Sequence, residues 1–332
     1  MDLRAQKIRK KLPRHRQLRA LRVRNPTLVK YEEAVVSFEK YARRRRMVLS
    51  SPSKTDVALA EYCVDLYEDG EPYNMASYAL FGFIVLRVDS DVPEKSLFAR
   101  ARMSLKGWSS ASPLSSRTGA DATLWYLFAD IISETSPHAA AALLLQLDTY
   151  ARPSEILGLT LADVIKPSSK QCKYWGLIFG NSEMGSVTKT GTQDDTVLLD
   201  SIDRTYAPQV LKWVASRCSS PSSLLFPGVA LDTYERLFRN AKCRLNLGKF
   251  ELTPHSVRHS GPSLDSLSKS RDPSAIQSRG RWRTQKSILR YQKPGQMLAK
   301  MAKVSKTVWD SAATALPRVL QKLKNSYGDP HL

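Results

Sequence analysis

Apolar residues recur at helical spacing through the first third of the chain. Between Tyr31 and Tyr41 they fall three or four positions apart, which is the pattern of one buried helix face. Three further segments with this pattern follow, and Pro93 can open the last of them. We therefore predict a compact domain of four short helices over residues 30–108.

The periodicity stops in the stretch 109–120, which is rich in serine and is typical of a linker. Beyond it, apolar helical segments return, interrupted by one β-prone region that includes residues 174–179 and 196–199. The predicted fold is mainly α with a small antiparallel β-sheet. Its second domain spans residues 121–300, and a helical tail follows over residues 301–332.

The net charge of the chain predicts the kind of partner that it binds. The chain has 51 Lys and Arg against 31 Asp and Glu, a formal net charge of +20. Such an excess favours nucleic acid as a partner over an ordinary basic or ribosome-associated protein. Residues 1–24 hold ten basic side chains and one acidic one. We predict a basic N-terminal arm over residues 1–29, extended or partly helical, which serves as a DNA-tracking arm, a nuclear import signal or a solvated tail.

Several classes of site are disfavoured. The four cysteines form no C-x-x-C pair and have no histidine cluster beside them, which argues against a zinc site and a disulfide framework. No apolar run approaches the roughly 18 residues of a membrane span, and the charged N-terminus does not resemble a secretory signal. We expect no metal, no small-molecule cofactor and no membrane partner.

Four side chains near the C-terminal end point to phosphate chemistry. His255 and Arg258 share one helix face, and Trp282 and Tyr291 follow in that order. An imidazole, a guanidinium, an indole and a phenol together indicate a phosphate site with a tyrosine nucleophile. This set lacks a second cation and a proton donor.

Two upstream segments can supply those groups. Arg152 stands directly before Pro153 at the start of a predicted helix, with Glu155 one turn away. Lys189 lies near the turn of a predicted β-hairpin that Gly191 helps to make. Taken singly, Arg152 fits a surface ion pair equally well, and Lys189 fits a solvated hairpin residue.

In combination these residues resemble the tyrosine recombinase (phage integrase) superfamily. Its first arginine motif is matched by Arg152-Pro-Ser-Glu155, its hairpin lysine motif by Thr188-Lys-Thr-Gly191, and its histidine–arginine box by His255–His259. The family's Gly-His or Gly-Trp position is Gly280-Arg-Trp282, with one residue inserted. The family's nucleophile corresponds to Tyr291, nine residues after Trp282.

The resemblance covers residues 120–295 well and the helical domain only in outline. Two departures stand out. Tyr150 replaces the glycine that usually lies two residues before the first arginine, and Ser260-Gly-Pro262 follows the box where a short Thr/Phe/Ala run is common. These departures indicate a divergent branch, such as a eukaryotic or mobile-element one.

The resemblance implies a helical core-binding (SAM-like) domain and an α+β catalytic domain. It implies that the chain cleaves and rejoins double-stranded DNA through a 3′-phosphotyrosyl intermediate, as a homotetramer and without metal. It also implies that the tail docks on a neighbouring subunit. The compartment would be the nucleus in a eukaryote and the nucleoid in bacteria or phage.

The resemblance also implies roles for individual residues. The arginines would bind the phosphate oxygens, the lysine would protonate the leaving oxygen and His255 would assist proton transfer at the tyrosine. Trp282 either donates to the phosphate or only buttresses the nucleophile. The implied catalytic residues are Arg152, Lys189, His255, Arg258, Trp282 and Tyr291, supported by Glu155 and His259. From charge we assign DNA contacts to Arg43, Arg44, Arg45, Arg46, Arg279 and Arg281.

Two alternatives remain open. A type IB topoisomerase would use the same nucleophile and cations but rejoin the same strand, and relatives of that kind tend to have histidine where Trp282 stands. A domesticated DNA-binding protein would keep the fold without the activity.

Overall fold

The computed structural model describes residues 3–89, 93–112, 118–168, 173–180, 196–289 and 291–328. The chain divides into two compact units, Met1–Ser115 and Ser116–Leu332. We call them the helical unit and the second unit.

The described part of the helical unit consists of six helices and a short 3₁₀ turn. Helix α3 packs against α5, and α4 against α6, around a core in which Phe38, Leu59 and Leu80 are fully buried. The bounds are α1 Leu3–Lys10, α2 Arg14–Leu21, α3 Asn25–Arg44, α4 Pro52–Glu68, α5 Tyr73–Leu86 and α6 Ala99–Ala111, with the 3₁₀ turn at Glu94–Ser96.

The residues predicted as a basic arm are not a separate extended segment. Helices α1 and α2 pack on α3 and α5, and Ala5 and Ile8 are buried in the core of the helical unit. The Arg9 guanidinium donates to Asn25 Oδ1 at 2.7 Å. The prediction missed this packing because a few small apolar positions, spaced by basic residues, are enough to dock a short helix while the charged heads stay in water.

Both described ends of the predicted linker continue the structure on either side of it. Helix α6 continues to Ala111, so the linker's first residues are helical. At the other end Ala120 is buried, and its backbone N–H donates to Ser260 Oγ at 2.8 Å.

The second unit is organised around a helix that is buried on every side. Every residue from Ala139 to Leu145 in this helix, α8, has no exposed surface, as a helix without a polar face requires. Helices α7, α10, α12 and α17 pack around it. The helix bounds are α7 Ala122–Ser133, α8 Pro137–Thr149, α9 Pro153–Leu157, α10 Ala207–Ala215, α11 Leu231–Arg244, α12 Pro254–Ser268, α13 Pro273–Arg279, α14 Gln285–Ile288, α15 Pro294–Met301, α16 Lys306–Ala313 and α17 Ala315–Tyr327, with a 3₁₀ turn at Leu161–Asp163.

Three short strands form the described sheet. They are β1 Val164–Ile165, β2 Gly176–Ile178 and β3 Thr196–Leu198, paired antiparallel in the order β1-β2-β3. Leu177 lies opposite both Val164 and Val197. The predicted fold class, mainly α with a small antiparallel β-sheet, is confirmed.

The predicted C-terminal tail is helical, but its last helix is part of the core of its own unit. Val319 and Leu323 of α17 are fully buried, and α17 packs along α7. Arg318 and Lys322 pair with Asp130 of α7 at 2.9 and 2.8 Å. The apolar face of α17 is therefore occupied within the chain.

Candidate functional site

Arg152 and Glu155 lie at the start of α9, as the sequence indicates. Pro153 provides the fixed backbone angle of a first helical position, and the Glu155 carboxylate accepts from the Arg152 backbone N–H at 2.8 Å. The same carboxylate accepts from the Arg152 guanidinium. Both side chains are less than one fifth exposed, so this is not a solvated surface pair.

Arg258 lies on α12 and is almost completely buried, with 1% of its surface exposed. Its Nη1 donates to the Tyr150 carbonyl, and its Nη2 donates to the Gly280 carbonyl at 2.8 Å. Its Nε has no hydrogen-bond partner in the described part of the chain. The guanidinium therefore connects the end of α8 to the turn after α13, and its Nε–H remains available to bind an acceptor.

Arg152, Arg258, Arg281 and Glu155 form what we call the guanidinium cluster. Glu155 Oε2 lies 3.0 Å from Arg281 Nη2 and 3.7 Å from Arg258 Nη1. Burial opposes ionisation of Glu155, but the charges of Arg281, Arg258 and Arg152 outweigh it and lower the pKa of Glu155 to about 2. One anion therefore meets three cations, which leaves an excess of positive charge.

The same crowding acts on the arginine at the centre. Burial, together with the charges of Arg152 and Arg281, lowers the pKa of Arg258 to about 10. Arg258 still carries its proton at neutral pH. An added anion would relieve this repulsion, so the cluster is poised to bind one.

Tyr291 packs against this cluster through aromatic contacts. Its ring stacks on Trp282 at 4.6 Å between centroids, and His259 contacts it at 4.5 Å. The Arg258 guanidinium lies 5.2 Å from the Trp282 ring and 5.4 Å from the Tyr291 ring. Trp282 is buried, yet its Nε1 has no hydrogen-bond partner among the described residues.

Of the two remaining catalytic candidates, His255 and Lys189, only His255 lies among the described residues. His255 is half-buried on α12, three positions before Arg258 and so on the same side of the helix. Lys189 lies outside the described residues, as does the part of the predicted hairpin around it.

The chain resembles solved integrases and recombinases in structure, although it matches no protein-family model and no curated protein. The Tn1549 transposon integrase in complex with transposon right end DNA superposes with a TM-score of 0.58 at 15% identity, covering 91% of this chain and 99% of that one. XerH site-specific recombinase bound to difH scores 0.55 at 17% identity, with 92% and 84% covered. A lambda integrase dimer bound to a core site scores 0.54 at 14% identity, with 85% and 94% covered.

The chain has the integrase fold. The resemblance in the motifs and the similarity in structure therefore agree, and the similarity extends over both units. It includes the helical unit, where the sequence resembled the family only in outline.

Within this integrase fold, two of the predicted DNA-contacting arginines are buried instead. Arg279 donates to Asp148 Oδ2 at 2.6 Å and to the Leu198 carbonyl at 2.8 Å. Arg281 pairs with Glu155 and lies 4.1 Å from the Phe179 ring centre. Their side chains are 5% and 2% exposed and are bound within the protein, so the structure does not present them on its surface, and their contact with DNA stays a prediction.

The arginines at the end of α3 remain candidates for DNA contact. Arg43, Arg44, Arg45 and Arg46 are all exposed, and Arg45 pairs with Asp65 at 2.6 Å. The first three line a surface groove of about 1060 Å³ together with Lys40.

Sequence reasoning missed a closed circle of six charged side chains behind the site. We call it the ionic ring; its members alternate in sign around the circle and are Arg204, Asp148, Arg279, Asp200, Arg271 and Asp265. Asp148 precedes Arg152 on the chain, and Asp265 lies beyond Arg258 on α12. Although burial disfavours its charge, Asp148 and Asp265 raise the pKa of Arg204.

The described residues contain no group of acidic, histidine and cysteine side chains able to hold a metal ion. They also contain no helix long and apolar enough to cross a membrane.

Gly280 is needed for close packing in the candidate site. A side chain at Gly280 would overlap the ring of Trp282. The Gly280 backbone therefore packs directly against the indole, while its carbonyl accepts from Arg258.

Proposed function

We propose that the chain is a tyrosine recombinase that cleaves and rejoins DNA strands with Tyr291 as the nucleophile. One observation carries the proposal. Two buried donors, Arg258 Nε and Trp282 Nε1, have no acceptor among the described residues and lie beside the Tyr291 ring. A buried donor without an acceptor costs about 1–3 kcal/mol, which a bound phosphate oxygen would recover.

The guanidinium cluster supports the same chemistry. In the proposed reaction Tyr291 Oη attacks the phosphorus and displaces the 5′-oxygen of the next nucleotide. Negative charge grows on the non-bridging oxygens as the phosphorus becomes five-coordinate, and Arg152 and Arg258 stabilise it. The strand then stays joined to Tyr291 through a 3′-phosphate ester, so the energy of the broken bond is kept.

Two proton transfers complete the step. The phenol of Tyr291 loses its proton as it attacks, and His255 is the proposed acceptor. The leaving 5′-oxygen gains a proton, and Lys189 is the proposed donor. Attack of a second 5′-hydroxyl on the phosphotyrosine reverses both transfers, frees Tyr291 and completes strand exchange.

Double-stranded DNA is the proposed partner, bound by a homotetramer during exchange between two sites. The net charge of +20 and the exposed arginines at the end of α3 support DNA binding. The three solved structures compared above are complexes with DNA.

A covalent adduct tests the nucleophile directly. The protein is incubated with nicked duplexes made from the DNA that flanks its coding sequence, since a nick lets the 5′-end diffuse away and traps the cleaved strand. We expect a protein–DNA band that survives denaturation and disappears in Tyr291→Phe. Tyr174→Phe, which alters an exposed tyrosine of the same unit, is the matched control and keeps the band.

The outcome separates the candidate functions. Exchange of strands between two labelled duplexes is expected, whereas an adduct with relaxation of supercoils and no exchange would indicate a topoisomerase. Wild-type protein that binds the duplex tightly but gives no adduct would contradict the proposal and leave a DNA-binding protein.

A further inference from the structure

Tyr150 departs from the family pattern, yet it contacts both Arg258 of the guanidinium cluster and Trp282, which packs on Tyr291. It follows α8 with a left-handed backbone (φ 52°) and is completely buried. Its carbonyl accepts from Arg258, and its ring stacks on Trp282 at 6.3 Å with 21° between the planes. Left-handed geometry disfavours a residue with a Cβ, so the surrounding contacts must hold Tyr150 in place.

Trp282 stands between two tyrosines. It stacks on Tyr150 and on Tyr291, with nearly parallel planes in both contacts. Ile276 and Ile288 complete this cluster, which is separate from the main core of the second unit. The position of the Tyr291 ring therefore depends on Trp282, and that of Trp282 depends on Tyr150.

The second departure from the family pattern explains how Tyr150 fits. A Cβ at Gly261 would overlap the Tyr150 ring and would lie 2.9 Å from the Leu147 carbonyl. Glycine at this position lets α12, which carries Arg258, approach the end of α8. The Tyr150 hydroxyl then donates to Asp265 on the same helix and joins the ionic ring.

We propose that Tyr150 is a positioning residue for the nucleophile, and that Gly261 makes room for it. The proposal rests on the function proposed above. Tyr150 takes no part in bond making. It fixes Trp282 through its ring, Arg258 through its carbonyl and α12 through its hydroxyl, so that the phenol of Tyr291 meets the phosphate in one orientation.

Two substitutions at Tyr150 test the contacts of its ring and of its hydroxyl separately. Tyr150→Gly removes the ring but favours the left-handed backbone, which keeps the carbonyl directed at Arg258. Tyr150→Phe keeps the stack on Trp282 and removes only the hydroxyl. The readouts are the single-turnover rate of adduct formation at saturating DNA, the Kd for DNA and the melting temperature.

We expect Tyr150→Gly to slow adduct formation by about 10- to 100-fold with little change in Kd, because a small misplacement of a reacting group costs rate rather than affinity. Tyr150→Phe should recover most of that loss. Phe128→Leu is the matched control, since it trims another buried ring of the same unit that does not contact this cluster. It should lower the melting temperature and leave the rate unchanged.

An unchanged rate in folded Tyr150→Gly would overturn the proposal, as would an equal loss in Phe128→Leu. If the glycine variant does not fold, Tyr150→Asn serves instead, because asparagine also tolerates the left-handed region. The same rate criterion applies to it. These results are distinct from a failure of the proposed function, in which wild-type protein itself gives no adduct.

Discussion

At the scale of single residues, the candidate site is defined by donors that the protein leaves unused. Arg258 offers Nε and Trp282 offers Nε1, and both are buried. The sequence left two roles open for Trp282, as a phosphate donor or as a buttress. The stack on Tyr291 satisfies the second role, and the unpaired Nε1 supports the first.

Trp282→Phe separates these two roles because phenylalanine retains an aromatic face but has no N–H. If the indole donates to the phosphate, we expect adduct formation to slow by on the order of 100-fold. Trp213→Phe is a close control, because Trp213 is also buried with an unpaired Nε1 but lies in α10. Equal rates in wild type and Trp282→Phe would reduce Trp282 to a buttress.

At the scale of elements, the short helix α9 is held in place by charge. Its first turn contains Glu155, which binds the Arg152 backbone and faces the arginines of the guanidinium cluster. A carboxyl whose pKa is lowered on folding stabilises the fold above its unfolded pKa. That stabilisation is lost as the pH falls toward the folded value.

For Glu155 this window runs from about pH 4.5 down to about pH 2. We expect Glu155→Gln to lower the free energy of unfolding at pH 7 by about 3 kcal/mol and to remove this contribution to acid unfolding. Urea titrations at several pH values measure both effects. Glu235→Gln, at an exposed position of α11, should leave the pH dependence as in wild type; a curve for Glu155→Gln that keeps the wild-type shape would contradict the assignment.

The local parts of the site could be predicted from sequence, and the long-range parts could not. Arg152 and Glu155 are one turn apart, so their contact follows from helix geometry. The ion pair of Arg279 with Asp148 could not be predicted, because Asp148 lies far away in the sequence. Tyr150 and Gly261 each looked like an isolated departure. The available signal was that both departures occur together: Tyr150 adds a ring, and Gly261 leaves the space that this ring occupies.

At the scale of the whole molecule, both units contribute positive charge to the proposed DNA complex. Because Arg279 and Arg281 are buried, exposed residues such as those at the end of α3 are the stronger candidates for DNA contact. The fold class and the helical unit could be predicted because helical periodicity is a local signal. The packing of the basic N-terminal helices could not, because charge masked their few apolar positions.

The salt dependence of DNA affinity tests this view. Each phosphate contact contributes about −0.9 to the slope of log K against log salt concentration. If all four side chains from Arg43 to Arg46 contact phosphates, their combined replacement by glutamine should make the slope shallower by about 3–4. Replacement by lysine keeps the charge and should keep the slope. A slope that does not respond to the glutamine variant would exclude this face from the interface.

The place of α17 in the core of the second unit determines which unit can fold first during translation. The helical unit holds its own core and can fold while the rest of the chain is still being made. The second unit needs α17 to complete its core, because Val319 and Leu323 are fully buried, α17 packs on α7, and α17 follows every other described helix of the unit in the sequence. Under the proposed function, the exposed arginines of the helical unit would therefore fold before the catalytic residues of the second unit are held in place, and a chain truncated before α17 would lack cleavage activity.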